Sequence, residues 1–151
     1  MGHDVVRVRI VSDADLLPAR AEGRALALKL GFTRTDATLI ATAISEIARN
    51  IVVHVGEGEI EFRPAYENSR FGLVVVARDN GPGIRDLGAA LAPGDAGRGG
   101  LGLGLPGART LMDDFEVISG PATGTTVTMT KWRTRDELER LRDRRRRQSD
   151  G

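Results

Sequence analysis

The sequence has no cysteine, which removes disulfide scaffolds, cysteine-based zinc sites and thiol nucleophiles together. Aromatic residues make up only 4% of the 151 residues and none follows Trp132. Base-stacking platforms for single-stranded nucleic acid therefore have little to be built from. No stretch approaches the ~20 consecutive apolar residues of a membrane span, and the amino-terminal MGHDVVRVRIV has no basic segment ahead of a long apolar run. The expectation is a cytoplasmic protein with no membrane contact. An excess of charge is missing too, since the formal net charge is +1. What is present is an ordinary globular composition, 40% hydrophobic and 28% charged, over the length of about one domain. The 19 glycines are the exception, many of them crowded between Gly81 and Gly107.

The near-neutral total hides an uneven distribution. Residues 134–151 carry 7 Arg against 5 acids, which leaves 15 Lys+Arg against 16 Asp+Glu in residues 1–133. The chain thus divides into a neutral domain, 1–133, and a basic tail, 134–151. The tail has good helix formers and a capping pattern from Thr134 to Glu137 but few apolar residues, so it reads as a solvated, fraying helix.

Along the domain, Val6, Val8 and Ile10 alternate with Val5, Arg7 and Arg9, as a half-buried strand requires. Ser12-Asp13 offers a cap for a helix that holds Pro18 in its first turn and stops at Gly31. Thr35 or Asp36 can cap a second helix to about Val53, where Ile40, Ile44, Ile47 and Ile51 form a stripe on one face. Glu59 to Phe62 alternates again, Pro64 to Arg70 reads as a polar hairpin connection, and Phe71 to Ala77 is a near-continuous apolar strand of a sheet centre. Residues 84–100 read as a short helix plus a mobile loop, Leu103 to Asp113 as a helix, and Phe115 to Ile118 and Thr125 to Lys131 as two strands. Two successive helices followed by hairpin-joined strands predict an α+β fold, with helices on one face of a mostly antiparallel sheet.

Four constellations can carry chemistry. Glu46 and Asn50 are four apart and share a helix face; a carboxylate can accept a proton, and an amide oxygen suits Mg²⁺ beside phosphates. Alone, such a pair is ordinary on a solvated helix face. Asp79-Asn80-Gly81-Pro82-Gly83 ends the most hydrophobic strand, where an acid can accept from an exocyclic amine and glycines admit a flat ligand. The plain alternative is a turn. The run Gly97 to Gly107 presents glycine-rich backbone to a helix N-terminus, which suits a polyphosphate. Gly102, Gly104 and Gly107 satisfy G-x-G-x-x-G, but no strand of a βαβ unit leads directly into them, so the dinucleotide reading fails. Finally, Gly124-Thr125-Thr126 opens the last strand, where threonine is common in any case.

Taken in order, these four pieces resemble the successive boxes of the GHKL ATPase family, which shares the Bergerat ATP-binding fold, a two-layer sandwich. Ser45 to Asn50, Leu101 to Gly107 and Leu111 to Phe115 resemble the bacterial anti-sigma-factor serine kinases in particular, and among them the stressosome switch kinases. The resemblance covers residues 5–132. It implies that Glu46 is the general base or water-positioning carboxylate and that Asn50 ligates Mg²⁺ at the triphosphate. It implies further that Asp79 binds the adenine amino group, with Thr125 or Thr126 assisting. Gly81 and Gly83 would make room for adenine and hinge a lid over residues 85–99; Gly100, Gly102 and Gly104 would offer amides to the phosphates.

The implied activity is an ATP- and Mg²⁺-dependent protein-serine kinase that phosphorylates a STAS-domain antagonist or stressosome scaffold. It would regulate a sigma-factor pathway by partner switching, with a PP2C-type phosphatase or a sigma factor as the output. The alternative is a nucleotide-dependent binding module with little or no phosphotransfer, and a homodimer is compatible with either. The arginine run 144–147 could attract nucleic acid, but the scarcity of aromatics argues against that use.

Overall fold

The computed structural model describes residues 5–81, 104–120 and 124–133, together with Arg145. Strand β1, Val6–Ile10, leads through a 3-10 turn, Asp13–Asp15, into helix α1, Leu16–Lys29. The Asp15 carboxylate accepts from the backbone N–H groups of Val11 and Ser12, at 2.8 and 3.1 Å, and so fixes the entry to α1. The expected stop at Gly31 is a Schellman ending. Gly31 has φ +95°, its N–H donates to Leu28 and the N–H of the buried Phe32 donates to Ala27.

Helix α2, Arg34–His54, starts two or three residues before the position that a cap at Thr35 or Asp36 predicts. Thr33 is its cap: the hydroxyl accepts from Asp36 N–H at 3.1 Å, and Asp36 sits in the first turn facing the positive end of the dipole. Ile40, Ile44, Ile47 and Ile51 are all at most 2% exposed, so each contributes about 1.5–3 kcal/mol of burial. α1 packs on α2 along Gly23, where a Cβ would overlap the Ile44 side chain.

Strands β2, Gly58–Glu67, and β3, Arg70–Asp79, form a hairpin longer than expected. Pro64 to Glu67 belong to the strand rather than to a loop, and only Asn68 and Ser69 turn, both at positive φ as a two-residue hairpin demands. Among the described residues β1 pairs with β2 over residues 58–62, and Pro64 lies beyond that pairing, where no described strand needs its missing N–H. Helix α3, Gly104–Leu111, and strands β4, Asp114–Gly120, and β5, Gly124–Trp132, complete the described chain. The sheet has the order β1-β2-β3-β5-β4 with every neighbour antiparallel, and the apolar β3 is its middle strand. The expected α+β architecture is therefore observed.

Register sorts the side chains. Val8, Ile60, Ala77, Val127 and Val117 form one cross-strand row, and Val6, Phe62, Val75, Met129 and Phe115 the next. Both rows pack against the isoleucines of α2 and against Leu105 and Ala108 of α3. The opposite face carries charge. Glu61 is only 5% exposed there, with its carboxylate 3.2 Å from Arg7, 3.7 Å from Arg78 and 3.9 Å from Arg63. The arginine stems cover it while their head groups stay half in water.

Candidate active site

The same register continues past the core to the open end of the sheet, where the third row reads Ile10, Gly58, Asp79, Thr125 and Ser119. Asp79 closes β3 at 7% exposure, and its Oδ1 accepts two backbone N–H groups: Gly81 at 3.0 Å and Thr125 at 3.2 Å. A carboxylate held in this way keeps its second oxygen for another donor. The Thr125 hydroxyl lies 2.8 Å from the Ser119 hydroxyl. Gly124 makes this junction feasible. It has φ +72°, and a Cβ there would overlap the Asp79 carbonyl oxygen.

Helix α2 supplies the second half of the site. Glu46 Oε2 accepts from the Gly104 N–H at 2.6 Å, so this carboxylate begins α3 at its positive end. Asn50 is half-buried one turn further along the same face. Val55, just past the helix end, touches Gly81; a Cβ on Gly81 would lie 2.8 Å from Val55 Cγ2. α2 therefore runs from the start of α3 to the Asp79 corner and joins the two halves.

Asp79, Gly81 and Thr125 are thus brought together, as are Glu46 and Gly104, with Asn50 beside them. Thr126 is not brought in. It pairs with Arg78, so alternation turns its side chain to the charged face of the sheet, and of the two threonines Thr125 alone is at the site. Gly83, Gly100 and Gly102, the expected lid over 85–99 and the tail 134–151 apart from Arg145 lie outside the described residues. His54 is exposed in the last turn of α2. One further residue belongs to the site, Ser119, and Gly124 of the Gly124-Thr125-Thr126 run packs directly on the Asp79 backbone. Pairing Gly120 with Gly124 across the last hairpin places Ser119 opposite Thr125, and that count is available from the sequence.

Comparison with known proteins fits this geometry. The profile described as "Histidine kinase-like ATPase domain" matches residues 11–131. The chain is 42% identical over 130 residues to the serine/threonine-protein kinase RsbT of Bacillus subtilis (strain 168), covering 86% of this chain and 98% of that protein. It is 34% identical over 120 residues to the anti-sigma F factor of Caldanaerobacter subterraneus subsp. tengcongensis, covering 76% of this chain and 82% of that protein. Among solved structures, the RsbU and RsbW domains from Mycobacterium tuberculosis align with a TM-score of 0.53 at 22% identity, over 85% of this chain and 33% of that one, which speaks for the fold alone. The chain belongs to the histidine kinase-like ATPase family and, within it, to the anti-sigma-factor serine/threonine kinases.

Proposed function

We propose that this chain transfers the γ-phosphoryl group of ATP to a serine hydroxyl of a STAS-type antagonist or stressosome scaffold and so switches partners in a sigma-factor pathway. The observation that carries the reading is the Asp79 corner. A buried carboxylate has one oxygen tied to Gly81 and Thr125 and the other left to accept an exocyclic amine, which is the donor adenine presents. About two and a half turns earlier on α2, at Glu46, the start of α3 places the Gly104 backbone N–H, which an arriving phosphate oxygen would take over from the carboxylate.

In this reading the serine oxygen attacks the γ-phosphorus, the bond to the ADP oxygen breaks, and the serine proton passes to the Glu46 carboxylate. Such transfers need positioning and charge neutralisation more than covalent help. Among the described residues no three His, Asp or Glu side chains converge on a point that could hold a metal. The fitting donor is the Asn50 amide oxygen, and Mg²⁺ bound there together with phosphate oxygens would neutralise the developing charge. Gly83, Gly100 and Gly102 are assigned by resemblance to the base wall and the phosphate amides. Residues 1–133 are assigned to the kinase domain and 134–151 to a basic tail, and the cytoplasm is the proposed location.

The Glu46 to Gly104 bond also supports a second reading. It gives the carboxylate a structural task that requires no catalysis, so the domain could hold nucleotide and sequester a sigma factor or a PP2C-type phosphatase without transferring phosphate. Incubation with labelled ATP, Mg²⁺ and a candidate STAS partner separates the two. The kinase reading expects label on a serine of the partner, lost in Glu46→Gln while nucleotide still binds. Absence of label with the wild-type chain, under conditions where it binds ATP, would leave only the binding module.

A further inference from the structure

Ser119 is not among the residues to which the family resemblance gives a role, yet its hydroxyl lies 2.8 Å from that of Thr125. The Thr125 backbone N–H is already committed to Asp79, so its hydroxyl is the polar group it has left to offer a ligand. A hydroxyl carries one proton. Whichever partner donates in the Ser119–Thr125 pair decides whether Thr125 presents a proton or a lone pair to a base.

We propose that Ser119 donates to Thr125 and thereby fixes Thr125 as a donor toward the base, making Ser119 the positioning residue for purine selectivity. The inference rests on the adenine reading of the Asp79 corner. Adenine presents an amine donor beside the N1 acceptor, which an acceptor at Asp79 and a donor at Thr125 complement. Guanine presents a carbonyl oxygen and an N1–H in the reverse order, so the same pair opposes it. A site built to match polar groups rejects a mismatched ligand because its buried groups are left unpaired. Asp79 and Thr125 are 7% and 5% exposed, so bulk water compensates little here.

Geometry supports a one-residue lever. Ser119 and Thr125 are direct cross-strand partners on β4 and β5, and Asp79 is the partner of Thr125 on the other side, so the three polar side chains form one line across three strands. Thr126, one residue along, faces away and provides an internal control.

The test is the ratio of ATP to GTP affinity, measured by calorimetry on the full chain with Mg²⁺. The wild-type chain is expected to prefer ATP by about 100-fold or more, in line with sites that read polar groups. In Ser119→Ala the Thr125 hydroxyl rotates freely, and the ratio should fall about tenfold, the worth of one hydrogen bond. Ser119→Thr, which keeps the hydroxyl on a strand-favouring residue, should restore it, and Thr126→Ala should leave it unchanged. A wild-type ratio retained in folded Ser119→Ala would overturn the role of Ser119. Failure of the wild-type chain to bind ATP would overturn the adenine reading itself, and with it this one.

Discussion

Glu46 Oε2 and the Gly104 amide nitrogen are 2.6 Å apart, so the side chain proposed to accept the substrate proton is also the one that begins helix α3. A charge-assisted bond of this kind contributes about 1.5–3 kcal/mol, and its position at a helix N-terminus adds to it. Phosphate groups arriving at the same amide would compete with Glu46 for it, which links nucleotide binding to the freeing of the carboxylate.

Two substitutions separate these tasks. Glu46→Gln keeps an oxygen to accept from Gly104 and should cost less than about 1 kcal/mol in urea unfolding, while phosphate transfer to the partner is abolished. Glu46→Ala should lose both transfer and about 1–2 kcal/mol of stability. Full transfer activity in Glu46→Gln would remove Glu46 from the chemistry.

Asp79→Asn puts a donor where the adenine amine needs an acceptor. ATP affinity should fall by about 10- to 100-fold by calorimetry, with the fold intact by circular dichroism. Asp79→Ala should cost stability as well, because the N–H groups of Gly81 and Thr125 both lose their partner, at about 1–3 kcal/mol each. Unchanged ATP affinity in Asp79→Asn would sink the adenine assignment.

Gly124→Ala meets two obstacles at once, a left-handed backbone and the Asp79 carbonyl in the way. Overpacking and backbone strain together should cost about 3–5 kcal/mol in a denaturant titration. Gly56 has φ +102° but nothing within 4 Å of a Cβ, so Gly56→Ala should cost only the strain, about 1–3 kcal/mol. Equal losses at the two sites would refute the close approach at Gly124.

Glu61→Gln leaves Arg7, Arg63 and Arg78 facing one another without their shared counter-charge. The arginines are half exposed, so the expected loss is about 1–2 kcal/mol, below that of a fully buried pair. It should shrink at about 1 M salt, where the Debye length is about 3 Å, and ATP affinity should not change. A loss independent of salt would mean that packing, not charge, holds Glu61 in place.

Removal of residues 134–151 should leave ATP affinity within about twofold, because the elements that carry Glu46, Asn50, Asp79 and Thr125 all lie at or before Trp132. Any effect is expected in affinity for the protein partner and in its salt dependence. An ATP affinity lowered about tenfold would bring the tail into the site.

Much of this was legible in the sequence because burial writes itself as periodicity. The Ile40 to Ile51 stripe gave α2 and its buried face, and the apolar run Phe71 to Ala77 gave the central strand. Pro64 points to a loop because a proline speaks against a strand unless one flank is open, and where β1 ends is a matter of pairing. Thr35 and Asp36 stand closer to the stripe and are equally good caps by residue type, so only the hydrogen bond from Asp36 N–H singles out Thr33. Thr125 and Thr126 could not be separated by composition. Only the register against Asp79 decides which one turns toward the helices, and register is a relation between segments 46 residues apart.

That separation has a consequence for how the protein comes into being. Asp79 lies on β3 and Thr125 on β5, so the corner that would grip the base does not exist until the last strand of the sheet has zipped onto the middle one. A chain still being synthesised, with β5 yet to emerge, holds no such corner however well its first two helices have formed. Nucleotide would then bind only the completed sheet and hold it closed by mass action, so that ATP reports that manufacture is finished before it is spent.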